Sequence, residues 1–210
     1  MTLRLAIFDL DGTLVDSLDD LTTSVNHALR LAGLPLRSRD EVRTFVGDGA
    51  RPLIARSVGD HRERMEEVLA TWRVYYEEHL LDQTRAYPGI VEVLSRARCP
   101  LAVQTNKPGA MARRILEGLG LLTRFAVVLG GGEAPPKPDP GGVRAILDKV
   151  GARAENAVLV GDTAVDFATA RNAGVAFVGV SWGIVPRAEL VRAGAQNLVD
   201  RPEELAAFLS

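Results

Sequence analysis

The sequence has 210 residues, of which 47% are hydrophobic and 25% are charged, and its formal net charge is −2. This balance is typical of a soluble globular protein, and it gives no electrostatic reason to expect a nucleic acid or an anionic membrane as a partner. Its single cysteine, Cys99, cannot form an internal disulfide, and no apolar stretch approaches the ~20 residues that span a bilayer, so we expect a cytoplasmic protein.

The first predicted element is a short buried strand that ends in acidic residues. In the stretch "AIFDLDGTLVDS" (6–17), an apolar run leads directly into Asp9 and Asp11, which stand two positions apart before Gly12. Two like charges at the end of a buried strand are costly unless a counter-charge lies beside them. This spacing therefore indicates a functional site.

Residues 16–84 interrupt the alternation of strands and helices. They contain helical patterns and no convincing strand, and Ser38 followed by Glu41 has the spacing of a capping box at the start of a helix. The stretch "YPGI" (87–90) marks the return to the strand–helix pattern. We predict that residues 16–84 form a helical cap domain, inserted into an α/β core of residues 1–15 and 85–210.

Further runs of apolar, β-branched residues follow this segment. Each is nearly continuous in apolar residues, which is typical of strands buried on both faces of a parallel sheet. Helical patterns lie between them, and the alternation predicts a doubly wound, Rossmann-like α/β fold. The runs are "PLAVQT" (100–105), "FAVVLG" (125–130), "AVLVGD" (157–162) and "VAFVGV" (175–180).

Polar side chains follow the ends of the predicted strands. Ligands bind at the carboxyl ends of the strands in a sheet of this type, so we expect these groups to converge at one edge. The residues are Asp9 and Asp11 after the first strand, Thr105 and Asn106 after the second, Lys137 after the third and Asp162 after the fourth.

Converging carboxylates predict a divalent cation. Hard oxygen ligands suit Mg²⁺, which binds one or two carboxylates together with waters and a substrate phosphate. Lys137 and the Thr105 hydroxyl would then hold phosphate oxygens, which is the chemistry of phosphoryl transfer. Asp9 would attack phosphorus and become an aspartyl phosphate, while Asp11 would protonate the leaving alcohol and later deprotonate a water.

Four motifs, in this order along the chain, resemble those of the haloacid dehalogenase-like superfamily: "DLDGTLVDS", "QTNK", "KPDP" and "GDTAVDFATARNAG". The resemblance covers nearly the whole chain, and the helical insertion is similar to that superfamily's first type of cap. It implies Asp9 as the nucleophile, Asp11 as the acid and base, and Thr105 and Lys137 as phosphate-binding residues. It also implies Mg²⁺ held by the Asp9 side chain, the Asp11 backbone carbonyl and Asp162.

Within this superfamily the closest likeness is to phosphoglycolate phosphatases, which implies 2-phosphoglycolate as the small phosphorylated substrate. Arg51, in a glycine-flanked stretch of the predicted cap, is a candidate for binding the substrate's carboxylate, and Asn106 is a further substrate-binding candidate. Asp166 stands one helical turn after Asp162, and it either orients the metal site or favours the helix dipole. The likeness is carried by "FVGDGARPLIAR" (45–56), "YPGI" (87–90), "VQTNKP" (103–108) and "GGEAPPKPDP" (131–140).

The same core motifs also fit a sugar-phosphate phosphatase or a β-phosphoglucomutase-like phosphotransferase, because selectivity would lie in the cap. A module that only binds small molecules or partners, on the same fold, is the alternative of a different class. Residues 16–84 contain no lysine, which argues against phosphonate hydrolysis through a Schiff base in the cap. The sequence leaves the oligomeric state open between monomer and homodimer.

Overall fold

The computed structural model describes residues 5–209. Its centre is a six-stranded sheet with the order β5-β4-β1-β6-β7-β8, in which every neighbouring pair runs parallel, and β2 and β3 form a separate antiparallel pair. The strands are β1 (Leu5–Phe8), β2 (Val15–Asp16), β3 (Arg85–Ala86), β4 (Leu101–Pro108), β5 (Val127–Gly131), β6 (Ala157–Gly161), β7 (Ala176–Val180) and β8 (Leu198–Val199).

Helices connect the strands and cover both faces of the sheet. The α-helices of residues 5–209 are α1 (Leu18–Leu31), α2 (Arg39–Phe45), α3 (Ala50–Val58), α4 (Met65–Glu78), α5 (Ile90–Arg96), α6 (Gly109–Gly118), α7 (Gly141–Val150), α8 (Ala164–Ala173) and α9 (Arg187–Ala193). Short 3₁₀ turns lie at Arg62–Arg64, Leu122–Arg124, Ala154–Asn156 and Pro202–Phe208. Within the described part of the chain, no helix combines the length and the apolar character that crossing a membrane requires.

The central strand β1 is buried on both faces, as its apolar run predicts. Leu5 and Ile7 pack into the cluster that contains α7 and α8, while Ala6 and Phe8 pack into the cluster that contains α5 and α6. All four side chains are inaccessible to solvent. The predicted doubly wound, Rossmann-like parallel sheet is therefore confirmed.

The strand order reverses direction at β1, and this reversal positions the site. The chain proceeds from β1 to β4 and β5 on one side and to β6, β7 and β8 on the other, which leaves a crevice at the carboxyl ends of β1 and β6. Phe8 pairs with both Val103 and Val160, and the Asp9 backbone N–H donates to the Val160 carbonyl at 2.9 Å. The residues directly after Phe8, Val103 and Val160 therefore lie at the same height in the sheet.

Strand β4 is longer than predicted, and its pairing with β5 is irregular near its carboxyl end. It runs to Pro108 rather than ending near residue 105, and its pairing with β5 shifts register between Gln104 and Pro108. Thr105, Asn106 and Lys107 lie in this irregular stretch, where the ladder to β5 is interrupted. All three residues line the cavity at this edge of the sheet.

The inserted segment (residues 16–84) begins and ends at adjacent points. Val15 pairs with Ala86 in the β2–β3 ladder, which the sequence did not predict because two-residue strands leave no pattern. Asp20, near the start of α1, accepts hydrogen bonds from the Thr84 backbone N–H at 2.8 Å and from the Thr84 hydroxyl at 2.7 Å. Adjacent ends are what an inserted unit requires, and the division into cap and core domains stays a prediction.

The inserted segment is helical and packs over the carboxyl edge of the sheet. The predicted capping box is confirmed, because the Glu41 backbone N–H donates to Ser38 Oγ at 3.2 Å and the Ser38 N–H donates to the Glu41 carboxylate at 2.8 Å. Arg43 of α2 donates to the carbonyl of Ile184, beyond β7, at 2.6 Å. The segment's buried side chains belong to the same hydrophobic cluster as one face of the sheet, so the two parts share a continuous core.

Candidate active site

A cavity lies between the inserted segment and the carboxyl ends of β1 and β4. The space within it, counted together with the open solvent at its mouth, is about 440 Å³. We call it the cap cavity, and its lining consists of Asp9, Asp11, Thr105, Asn106, Lys107 and Pro108 from the sheet side and Leu21, Val46, Gly47, Gly49, Ala50, Leu53, Trp72 and Tyr76 from the inserted segment.

Asp9 lies at the floor of the cap cavity beside a buried lysine. Lys137 Nζ lies 2.8 Å from Asp9 Oδ1 and 2.6 Å from Asp166 Oδ1. Only the second of these contacts has hydrogen-bond geometry, so Asp9 Oδ1 is buried without a hydrogen bond. Although burial alone lowers the pKa of Lys137, the carboxylates of Asp166 and Asp9 raise it above its ordinary value, and the ammonium stays charged.

Asp162 completes a cluster of three buried carboxylates. An oxygen of Asp9, one of Asp162 and one of Asp166 lie within 4.8 Å of one another. Asp162 accepts hydrogen bonds from the Thr13 hydroxyl at 3.2 Å and from the Ile184 backbone N–H at 2.8 Å. These bonds fix its orientation across the crevice from β1.

The charges of this cluster do not balance without a further cation. Three buried carboxylates share the single ammonium of Lys137, which leaves two negative charges when all three are ionised. Burial raises the pKa of Asp9 to about 7 against the opposing effect of Lys137, and burial together with repulsion from Asp166 raises the pKa of Asp162 to about 8. The hard oxygen donors and the charge deficit of two fit a divalent cation such as Mg²⁺.

Asp166 contributes to the cluster mainly through its hydrogen bonds with Lys137 and Thr163. One of its oxygens accepts from Lys137, and the other accepts from the Thr163 hydroxyl at 2.6 Å and from the Thr163 backbone N–H at 3.0 Å. Both oxygens are therefore occupied, and Asp166 also forms a capping box at the start of α8. Its position in the first turn of α8 agrees with the interpretation as a residue that favours the helix start, and a role in orienting the metal site stays a prediction.

Asp11 faces a different lysine from the one that contacts Asp9. Lys107 Nζ donates to both Asp11 oxygens, at 3.0 and 3.2 Å, and the Ser17 hydroxyl donates to Asp11 Oδ1. Lys107 also donates to the Tyr76 hydroxyl of α4 at 2.7 Å. Lys107 therefore links the second carboxylate of the motif to the inserted segment.

Thr105 and Asn106 both line the cap cavity, but their side chains have different surroundings. Thr105 Oγ1 accepts from the Lys107 backbone N–H at 3.2 Å. The Asn106 carboxamide donates to the Gly47 carbonyl at 3.1 Å and accepts from the Lys137 backbone N–H at 2.8 Å. Asn106 thus connects the inserted segment to the loop that carries Lys137, and a direct contact of its side chain with substrate stays a prediction.

Arg51 is not brought together with the other predicted site residues. It lies on α3, its guanidinium pairs with Glu66, and its side chain is 61% exposed. The neighbouring Ala50 lines the cap cavity, whereas the one-residue step around the helix turns Arg51 away from it. In this structure no contact supports Arg51 as the partner of a substrate carboxylate.

The sequence is similar to known proteins over most of its length. A family model described as haloacid dehalogenase-like hydrolase matches residues 6–180, a span that contains both carboxylates of the first motif, Lys137 and Asp162. The chain belongs to the haloacid dehalogenase-like hydrolase family. The prediction of a hydrolase of this superfamily is thereby confirmed.

Relatives of this hydrolase carry one recurring name. It is 39% identical over 197 residues to a phosphoglycolate phosphatase from Agrobacterium fabrum, covering 89% of this chain and 84% of the relative. It is 34% identical over 213 residues to a phosphoglycolate phosphatase from Chromobacterium violaceum, covering 97% and 95%. A solved structure of a predicted phosphoglycolate phosphatase from Haemophilus somnus superposes with a TM-score of 0.94 at 31% identity, covering 100% of this chain and 99% of that one. The predicted likeness to this group is confirmed.

The sequence reasoning missed three polar residues of this hydrolase that line the cap cavity. Lys107 had a detectable signal, because it stands two positions after Thr105 in an extended strand and must share its face. Trp72 and Tyr76 are four residues apart on an amphipathic helix, which places them on one face. The apolar face of an amphipathic helix usually packs in the core. Here the same face also lines the cavity.

The raised pKa values predict how the stability of this hydrolase depends on pH without Mg²⁺. Asp9 and Asp162 titrate near 3.8 when unfolded and at about 7 and about 8 when folded, so between these values only the folded chain keeps the protons. Their stabilising contribution is therefore complete below about pH 4 and is lost as the pH rises to about 8. We expect thermal unfolding in a chelator to show this decline, and to show a weaker one for Asp162→Asn.

Asp162→Asn also tests whether the carboxylate cluster binds Mg²⁺. Mg²⁺ should raise the midpoint temperature of the wild-type protein at pH 8, where the carboxylates ionise, and should have little effect on Asp162→Asn. A slope against pH that Asp162→Asn leaves unchanged, together with an undiminished response to Mg²⁺, would contradict this account of the cluster.

Adding a side chain at Gly12 should disturb the carboxylate cluster by steric overlap. Its φ is +84°, and a Cβ at this position would lie 2.3 Å from Asp162 Oδ2. Gly12→Ala should therefore displace Asp162 and abolish stabilisation by Mg²⁺. The matched control is Gly33→Ala, because Gly33 has a φ of +67° and nothing within 4 Å of the added carbon.

We expect Gly33→Ala to cost about 1–2 kcal/mol of unfolding free energy through its backbone conformation alone. Gly12→Ala should cost a further ~1–3 kcal/mol from overlap with Asp162. Denaturant titration with and without Mg²⁺ measures both effects. Equal losses in the two variants, with the response to Mg²⁺ intact, would show that the approach of Gly12 to Asp162 is unimportant.

Proposed function

We propose that this hydrolase is a Mg²⁺-dependent phosphatase that hydrolyses 2-phosphoglycolate through an aspartyl phosphate on Asp9. The observation that carries the proposal is that Asp9, which lines the cap cavity, lies directly beside the buried Lys137 and clusters with the buried Asp162. A nucleophile, a site for a divalent cation and a fixed positive charge are the groups that phosphoryl transfer requires.

In the first step, Asp9 attacks phosphorus. A new bond forms between a carboxylate oxygen and phosphorus, the ester P–O bond breaks, and Asp11 gives a proton to the leaving alkoxide. Lys137, 2.8 Å from Asp9 Oδ1, stabilises the negative charge on the transferring group. Thr105 at the cavity lining is positioned to donate its hydroxyl to a phosphate oxygen.

In the second step, a water attacks the phosphorus of the aspartyl phosphate. Asp11 takes a proton from that water as the new P–O bond forms, and the bond between phosphorus and Asp9 breaks to release inorganic phosphate. Lys107 and Ser17 hold the Asp11 carboxylate in one orientation for both proton transfers. The inserted segment covers the cavity and limits the number of waters that compete.

The metal would be held by the side chains of Asp9 and Asp162 and by the Asp11 backbone carbonyl, as the resemblance implies. Mg²⁺ supplies charge neutralisation and polarisation of the phosphoryl oxygens. Lys137 and Asp166 remain paired beside it, which keeps the ammonium aimed at the reaction centre.

The lining of the cap cavity supports a small substrate over a sugar phosphate. From the inserted segment it is formed largely by apolar side chains such as Leu21, Val46 and Leu53 and by backbone at Gly47 and Gly49. A sugar would bring several hydroxyls that each need a partner, and from the inserted segment only Trp72 and Tyr76 bring polar side-chain groups to this lining. The names of the relatives from Agrobacterium fabrum and Chromobacterium violaceum support 2-phosphoglycolate within the class of small phosphomonoesters.

The direct test is phosphate release from a panel of phosphorylated metabolites. We expect 2-phosphoglycolate to give the highest kcat/KM, and removal of Mg²⁺ by a chelator to abolish turnover. A sugar phosphate as the best substrate would move the assignment to the alternative phosphatase. No turnover of any phosphomonoester by folded, Mg²⁺-loaded protein would favour a binding module on the same fold.

A further inference from the structure

Within residues 5–209, three buried side-chain nitrogen or oxygen atoms lack a hydrogen-bond partner: Asp9 Oδ1, Trp72 Nε1 and Gln104 Oε1. Two of these residues, Asp9 and Trp72, line the cap cavity. Asp9 Oδ1 belongs to the reaction centre and has Lys137 beside it. The Trp72 indole N–H has no such explanation, and a buried donor without an acceptor is costly and rare.

A second donor stands one helical turn away on the same wall. Tyr76 also lines the cavity, and its ring stacks on that of Trp72 with centroids 5.1 Å apart. Its hydroxyl oxygen accepts from Lys107, but among residues 5–209 its proton has no acceptor. Burial raises the pKa of Tyr76 to about 12, so the hydroxyl keeps this proton to donate.

Lys107 adds a positive charge to this wall. Among the described residues that line the cap cavity it is the one cation, and its side chain is 4% exposed. Its ammonium lies 2.7 Å from the Tyr76 oxygen and 4.7 Å from the centre of the Tyr76 ring. The ammonium also donates to both Asp11 oxygens, so among residues 5–209 the donors of this wall left without an acceptor are the Trp72 indole N–H and the Tyr76 hydroxyl.

We propose that Trp72 and Tyr76, beside the Lys107 ammonium that is paired with Asp11, form a subsite for the carboxylate of the leaving group. The inference rests on the proposed function for the phosphate half of the substrate. A carboxylate brings only acceptors, so it can satisfy the indole N–H and the phenol O–H at once without leaving a donor of its own unpaired. This subsite replaces Arg51, which is exposed and paired with Glu66, as the source of selectivity for 2-phosphoglycolate.

Binding can be tested without turnover. Calorimetry on Asp9→Asn protein with Mg²⁺ compares 2-phosphoglycolate with ethyl phosphate, which has the phosphate but no carboxylate. Adding Trp72→Phe removes the indole N–H and retains an aromatic ring. We expect it to raise the Kd of 2-phosphoglycolate about tenfold and to change that of ethyl phosphate less than about twofold.

Tyr76→Phe provides an independent variant, because it removes one oxygen atom and disturbs packing least. It should reduce affinity for 2-phosphoglycolate in the same selective way. The matched control is Tyr75→Phe on the same helix, since Tyr75 stacks on His27 with centroids 3.8 Å apart and does not line the cavity. Tyr75→Phe should leave the Kd of both ligands unchanged.

The outcomes separate this inference from the proposed function. Equal losses for both ligands, no loss for either, or no measurable binding of 2-phosphoglycolate would overturn the subsite. Wild-type protein that hydrolyses both esters, with kcat/KM ratios that Trp72→Phe and Tyr76→Phe do not change, would also overturn it while the phosphatase stands. Carboxylate-selective binding without turnover of any phosphomonoester would uphold the subsite and refute the proposed function.

Discussion

Asp9→Asn should reduce the turnover of 2-phosphoglycolate by at least ~10³-fold, because it keeps the shape of the side chain and removes the nucleophile. The lost oxygen is the atom that would bond to phosphorus, and of the two described carboxylates that line the cap cavity, Asp9 and Asp11, Asp9 is the one in contact with Lys137. Phosphate release measured at saturating substrate gives the rate. Mass spectrometry of acid-quenched wild-type protein should show a phosphoryl adduct on Asp9, which the variant lacks.

A matched control excludes an indirect effect on folding. Asp148→Asn makes the same chemical change on the exposed surface of α7 and should retain full activity. Without Mg²⁺, Asp9→Asn should unfold at no lower temperature than wild type above pH 7, because it removes one of three clustered carboxylates. Full activity in Asp9→Asn, or a phosphoryl adduct that never forms on the wild-type protein, would refute the aspartyl phosphate.

Lys137→Met should be the most destabilising single substitution in the site. The Lys137 side chain is 2% exposed and contacts Asp9 and Asp166, so its removal leaves two buried carboxylates without their counter-charge. Removing one partner of a buried ion pair typically lowers the free energy of unfolding by about 3–5 kcal/mol. We also expect kcat to fall ~10²–10³-fold, since the fixed charge at the reaction centre is lost.

Urea unfolding and steady-state kinetics measure these two effects separately. Lys149→Met on α7 is the control, because Lys149 is exposed and the same atoms are removed. Mg²⁺ should recover part of the stability of Lys137→Met, as the cation supplies charge to the same carboxylates. Unfolding free energies of Lys137→Met and Lys149→Met that agree within ~0.5 kcal/mol would show that Lys137 carries no buried ion pair of consequence.

The architecture followed from local patterns. The apolar runs that end at Asp9, Thr105 and Asp162 are each buried on both faces of the sheet, and such runs remain visible in a sequence whatever the rest of the chain does. The two-residue strands Val15–Asp16 and Leu198–Val199 left no such pattern, because their burial and pairing depend on distant partners.

The clustering of the candidate site residues was also predictable, for a topological reason. Groups that follow parallel strands must end at the same edge, so chain order alone brings Asp9 and Asp162 towards one another. Lys137 was placed correctly at that edge because it lies in the loop after β5. Its pairing with Asp166 was not predicted, because it depends on how the loop folds back over the start of α8.

The sequence by itself determined a parallel α/β core, a helical insertion and the carboxylates at the strand ends, since these depend on hydrophobic runs and on chain order. Only the tertiary structure decided which side of each helix of the insertion faces the site. Arg51 was turned to solvent, whereas Trp72 and Tyr76 were turned to the cavity, where Tyr76 meets a lysine 31 residues further along the chain. The physical reason is that helix rotation and strand register are set by packing across the whole core, and no local stretch of sequence encodes the distance between such residues.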